Sequence, residues 1–139
     1  MHHVIDLDEV TQTFVSSDGM PVTALQNVDL HLRRHEFVSL IGPSGCGKST
    51  ILRLIGGLLR PTSGAVRIFD HVVTEPRDEI GIVFQKPTLL PWLSVLDNIT
   101  FPMRHKFGRV DAKEQQRAQE LLAVILERTG LTRAGVHIG

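Results

Sequence analysis

The chain has 139 residues, 42% hydrophobic and 22% charged, and its 15 Lys and Arg side chains balance 15 Asp and Glu for a net charge of zero. That composition excludes disorder, leaves room for a core within one domain, and argues against a broadly cationic nucleic-acid binder. The one cysteine, Cys46, rules out an internal disulfide and fits a reducing, cytoplasmic setting. No apolar run approaches the roughly 18 residues that a membrane span needs, and Met1 to Asp6 lacks the cationic-then-apolar order of a secretory signal.

Val4 to Phe14 alternates loosely and predicts a strand, with a turn at Ser16 to Gly19. Ala24 to Leu32 alternates again, so a small antiparallel sheet is expected. Phe37 to Ile41 is nearly all apolar and short, the pattern of a strand buried on both faces of a parallel sheet. From Lys48 the period becomes helical: Ile51, Leu52, Leu54, Ile55, Leu58 and Leu59 share a face, Gly56 and Gly57 weaken the end, and Pro61 closes it. Ala65 to Phe69 and Ile80 to Phe84 predict two further strands. Ser94 can cap a helix with Asp97 in its first turn. A longer helix is expected from Asp111, with Glu114 completing a capping box, an apolar face of Ala118, Leu121, Leu122 and Ile125, and Gly130 as its stop.

Gly42-Pro43-Ser44-Gly45-Cys46-Gly47-Lys48-Ser49 matches G-x-x-x-x-G-K-[ST] without a mismatch, between a predicted buried strand and a predicted helix. Glycines let successive N–H groups curl toward one centre, where they and the helix N-terminus bind phosphate oxygens. Lys48 adds a full charge for the β- and γ-phosphates, the Ser49 hydroxyl suits Mg²⁺, and Thr50 is placed to bond a phosphate. Cys46 fills a position that any small residue could occupy. A guanine-reading Asn-Lys-x-Asp segment does not occur.

Three stretches then decide among nucleotide-binding classes: Gly42 to Thr50, Leu58 to Gly64, and Val83 to Ile99. With these the sequence resembles the ATP-binding subunit of ABC transporters, from about Val4 to Leu131. Leu89-Leu90-Pro91-Trp92 through Asp97-Asn98 resembles the nitrate, sulfonate and taurine import group in particular. The resemblance implies an α/β fold: a P-loop NTPase core, its parallel sheet incomplete here, with a small antiparallel β subdomain at the N-terminus. It divides the chain into about 1–34 (β subdomain), 35–85 (P-loop core) and 86–139 (start of the helical subdomain). It implies ATP and Mg²⁺ as cofactors, with Lys48 and Gln85 catalytic, Ser49 and Gln85 at the metal, and Gly42 through Thr50 on the nucleotide. Phe14 falls where the family keeps an adenine-stacking aromatic, although a core strand residue reads equally well. Leu89 to Trp92 would meet a membrane permease, with Trp92 as an anchor or else folded onto the core. A second ATP-binding subunit is also implied, as is a location on the cytoplasmic face of the membrane through the permease.

Other family parts do not occur in the 139 residues. There is no Leu-Ser-Gly-Gly-Gln signature, no apolar strand ending in Asp-Glu after the phosphate loop, and no switch histidine beyond it. Val4 to Glu9 imitates the Asp-Glu strand but precedes the loop, and His137 precedes the place of the signature. The chain therefore reads as the N-terminal part of such a subunit, energising import through a partner permease. The alternative is a non-catalytic nucleotide-binding module paired with an intact subunit.

Overall fold

The computed structural model describes residues 3–86 and 89–129. They fall into two compact units, Met1–Val83 and Phe84–Gly139.

In the first unit, β1 (His3–Val15) and β2 (Pro21–Arg33) form a long antiparallel hairpin. The expected strands are there, each a little longer than the alternation indicated. β3 (Ser63–Ile68) joins the other edge of β1, and β4 (His71–Val72) follows β3, giving the order β2-β1-β3-β4. Register shifts interrupt β1 between His3 and Ile5 and again from Leu7 to Thr13. Such bulges re-aim side chains and increase twist. At Gly64 (φ 80°) an added Cβ would stand 2.4 Å from the Glu9 carbonyl oxygen, so only glycine fits beside that irregularity.

One face of this sheet buries Leu7, Val10, Leu25, Val66 and Ile68, and α1 (Lys48–Ile55) closes it with Leu54 and Ile55. Burying each such side chain contributes about 1.5–3 kcal/mol, so the helix is held by packing more than by its eight residues' propensity. The helix is shorter than the sequence indicated. Leu58 N–H donates to the Arg53 carbonyl at 2.9 Å and Gly57 N–H to that of Leu54 at 3.1 Å, with Gly57 at φ 68°. This paired closure ends the helix at Ile55 and turns Leu58 and Leu59 out of it.

Two expected strands are not formed. Residues 37–41 and 80–84 have neither strand nor helix geometry; Phe37 is 93% exposed, Ile41 92% and Val83 97%. The reason is physical: a strand exists through its ladder, and no described segment pairs with either run. The sheet observed in the described residues is thus wholly antiparallel.

In the second unit, α2 (Val95–Phe107) and α3 (Ala112–Thr129) pack together, burying Thr100, Ala118 and Leu122. Both predicted starts are present. Asp111 Oδ1 accepts from Glu114 N–H at 2.7 Å while Glu114 Oε2 accepts from Asp111 N–H at 3.0 Å, a reciprocal capping box. Leu121 and Ile125 remain 51% and 42% exposed, so the expected apolar face is only half covered by α2. Gly130 and His137 lie outside the described residues.

Candidate functional site

The segment 42–50 turns from irregular chain into α1. Its curvature comes from Gly45 and Gly47, at φ 82° and 95°. Gly47 is the N-cap, in the left-handed region and with no side-chain cap bond, so the opening N–H groups of α1 have no side-chain acceptor. A second constraint acts at the same residue: an added Cβ would lie 2.6 Å from Leu25 Cδ2 and 2.8 Å from the Ala24 carbonyl oxygen. The loop is therefore seated directly on β2 at a point where the backbone must approach closely. Gly45 differs, with left-handed φ but nothing within 4 Å of an added Cβ.

Lys48 Nζ is folded back over the loop. It donates to the carbonyl oxygens of Gly42 and Pro43, each at 2.6 Å, and lies 3.3 Å from Cys46 Sγ. Cys46 is exposed, and its N–H closes the turn on Pro43 O at 3.4 Å. Ser44 and Ser49 are exposed and Thr50 half-buried, and Ser49 and Thr50 both belong to the first turn of α1. These features fit a polyphosphate: curled backbone, uncapped helix start, and one cation held by two carbonyls and a thiol of its own loop.

Phe14 is half-buried on β1, opposite Val22. Gln85 is exposed and falls in the second unit. In that unit Leu89 is 67% and Trp92 75% exposed, which removes the reading of Trp92 as folded onto a core.

Sequence reading missed what positions this exposed turn. Asn98 Nδ2 donates to the carbonyls of Leu90, Leu93 and Ser94 at 3.1, 3.3 and 2.9 Å, and its Oδ1 accepts from Leu90 N–H at 2.8 Å. Asn98 thus satisfies four backbone groups of the loop that presents Leu89 to Trp92. Ser94 caps α2, accepting from Asp97 N–H at 3.0 Å and donating to Asp97 Oδ2 at 2.7 Å. The Ser94 hydroxyl, followed by Arg104 at 2.8 Å from Oδ1, holds the Asp97 carboxyl below the usual aspartate range. An Asn four residues past a Ser cap was the available signal. Among the described residues no helix is long and apolar enough to cross a membrane.

The sequence matches the family profile described as ABC transporter over residues 25–136. A nitrate import ATP-binding protein, NrtC, of Synechocystis sp. is 40% identical over 133 residues, covering 94% of this chain and 20% of that protein. A taurine import ATP-binding protein, TauB, of Ruegeria pomeroyi is 41% identical over 105 residues, or 76% of this chain and 39% of that one. A bicarbonate transport ATP-binding protein, CmpC, of Synechococcus elongatus is 39% identical over 112 residues, 81% of this chain and 17% of that one. The chain spans about half or less of the length of the curated relatives it matches. Among solved structures, a dimeric post-hydrolysis state of the ATP-binding cassette MJ0796 bound to ADP and Pi superposes with a TM-score of 0.76. It is 33% identical, over 96% of this chain and 60% of that one.

Proposed function

The chain belongs to the ABC transporter family, and on that premise we propose that residues 42–50 bind the phosphates of ATP and that the whole protein energises an importer. The fold class is that of the P-loop NTPases, carried by the likeness to the MJ0796 cassette. The observation that carries the nucleotide reading is Lys48, held at 2.6 Å by two loop carbonyls beside an uncapped helix start.

In this reading Lys48 exchanges the Gly42 and Pro43 carbonyls for β- and γ-phosphate oxygens, a swing that leaves the glycine backbone in place. The N–H groups at the start of α1 take the remaining oxygens. Ser49 is assigned to Mg²⁺, which would supply positive charge to offset that of the phosphates, and the family resemblance assigns Gln85 to the metal as well. Thr50 bonds a phosphate, and Gly42, Pro43, Ser44 and Cys46 supply the loop's outer wall. Phe14 is assigned to the adenine ring. Gln85 is assigned to orienting the attacking water. The carboxylate that would accept a proton from that water belongs to an Asp-Glu strand that residues 1–139 do not contain. The role proposed for these residues is therefore binding and positioning.

Leu89, Leu90, Pro91 and Trp92 are proposed to meet a permease at the cytoplasmic face. The observation favouring this is the exposed Trp92 on a turn fixed by Asn98. Pairing with a second ATP-binding subunit is proposed by analogy with the dimeric cassette. The relatives' names point to small polar solutes as cargo, namely nitrate, taurine and bicarbonate.

The test is equilibrium binding of a fluorescent ATP analogue, with Lys48→Ala as control. Saturable, Mg²⁺-dependent binding that is competed by ATP and tripolyphosphate and lost in Lys48→Ala is the expected result. Equal binding by Lys48→Ala sinks the assignment.

A further inference from the structure

On the outer face of the hairpin, at the end remote from its turn, three side chains converge. Asp6 and His31 stand directly opposite each other in the β1–β2 register, which puts both on one face. His3 is three residues from Asp6, an odd spacing that would send it to the other face of a regular strand. The register shift prevents this. Between His3 and Ile5 the pairing moves only from Arg33 to Leu32, so β1 carries one extra residue there. That bulge reverses the alternation and returns His3 to the face of Asp6.

The outcome is a convergence on one atom. His3 Nδ1 is 3.0 Å and His31 Nδ1 2.7 Å from the same Asp6 Oδ1. The two rings stack, with centroids 5.0 Å apart and planes 22° from parallel. Asp6 is 16% exposed and the histidines 35% and 44%, so the carboxylate is sheltered while the cluster stays open to solvent on one side. The cation nearest in register, Arg67, pairs instead with Asp8. Among the described residues no Lys or Arg forms an ion pair with Asp6.

We propose that His3, Asp6 and His31 form a binding site for a first-row divalent transition cation of the zinc class, clipping the free ends of β1 and β2 together. Donors around a tetrahedral zinc, each at about 2.0–2.1 Å, stand about 3.3 Å apart. The donor atoms here already lie within 4.8 Å of one another, and two of the separations are 3.0 and 2.7 Å. Small ring rotations therefore convert a shared hydrogen-bond acceptor into a two-imidazole, one-carboxylate ligand set, with water in the fourth position. Imidazole donors select zinc, cobalt, nickel or copper over the hard, oxygen-seeking Mg²⁺ of the phosphate loop.

The experiment titrates Co²⁺, and separately Zn²⁺, into the nucleotide-free full chain, read by Co²⁺ visible absorption and by calorimetry. Variants Asp6→Asn, His3→Gln and His31→Gln are compared with His71→Ala and His105→Ala, which alter histidines elsewhere. One equivalent is expected to bind, weakened about tenfold or more by each of the first three changes and unaffected by the last two. Zn²⁺ should also raise the unfolding midpoint of the wild type and not that of His31→Gln. Circular dichroism identifies folded variants, and if Asp6→Asn does not fold, the two histidine variants decide. No binding by the wild type, or binding unchanged in the folded His3→Gln and His31→Gln variants, overturns the proposal.

Discussion

Asn98 grips both ends of Leu90: Leu90 N–H reaches Asn98 Oδ1 at 2.8 Å, and Asn98 Nδ2 reaches the Leu90 carbonyl at 3.1 Å. One side chain thereby replaces the ladder that an irregular loop lacks. Asn98→Ala strands several partly buried backbone groups, at about 1–3 kcal/mol. Urea unfolding should show this loss, and amide exchange should quicken at Leu90 and Leu93 first. Asn98→Asp should be no rescue, because it trades a donor for a carboxylate facing three carbonyls. A fully stable Asn98→Asp protein would contradict the role given to Nδ2.

Gly47 and Gly45 separate two effects that a glycine-rich loop usually mixes. Both need left-handed φ, but only Gly47 abuts Leu25 and Ala24. Gly45→Ala should cost about 1–2 kcal/mol, the conformational strain alone. Gly47→Ala should cost more, because β2 or α1 must also move, and should abolish binding of the ATP analogue. Thermal unfolding of the two variants side by side provides the check, and equal losses would argue against the steric term.

Lys48→Ala is expected to leave stability within about 0.5 kcal/mol, since it removes only surface bonds to carbonyls that water can satisfy. Its nucleotide affinity should fall by well over tenfold. A large fall in the melting midpoint would instead mean that the lysine bridge holds the loop together.

The Asp97 carboxyl titrates below its ordinary value because Ser94 and then Arg104 bond its charged form. A depressed folded-state pKa stabilises the fold above the unfolded value of about 3.9, and the contribution is lost as pH falls through the folded value. Acid should therefore loosen the start of α2. In Ser94→Ala the Asp97 titration, followed by carboxyl-carbon NMR, should move up toward the ordinary range. An unmoved midpoint would remove the hydroxyl as the main cause.

What the sequence disclosed follows the range of the forces involved. Caps are written within four residues, so Ser94, and Asp111 with Glu114, were legible at once. The hairpin was legible because alternation is local, and the phosphate loop because its chemistry demands fixed residue types. The runs at 37–41 and 80–84 read as strands and are not, because apolar content describes a strand's faces and says nothing about its edges. The bulges in β1 were hidden for a related reason. They depend on how two strands slip against each other, and the His3, Asp6 and His31 cluster exists only through one such slip. The end of α1 lay in between: Gly56 and Gly57 signalled weakness, but the closure at Ile55 needed Gly57 backed against the Glu75 backbone, 2.3 Å from where a Cβ would sit.

The seat of Gly47 on β2 also bears on the order in which the molecule is made. Every residue of the core cluster, from Leu7 to Val73, is translated before Leu90 or Asn98. A ribosome adding about 5–20 residues per second gives such a unit time to fold while the rest is still being synthesised. The helix end of the phosphate loop is thus fastened by chain already made, through Leu25 and Ala24. The seat of Gly47 can therefore form as the chain emerges, before the turn at Trp92 has left the ribosome.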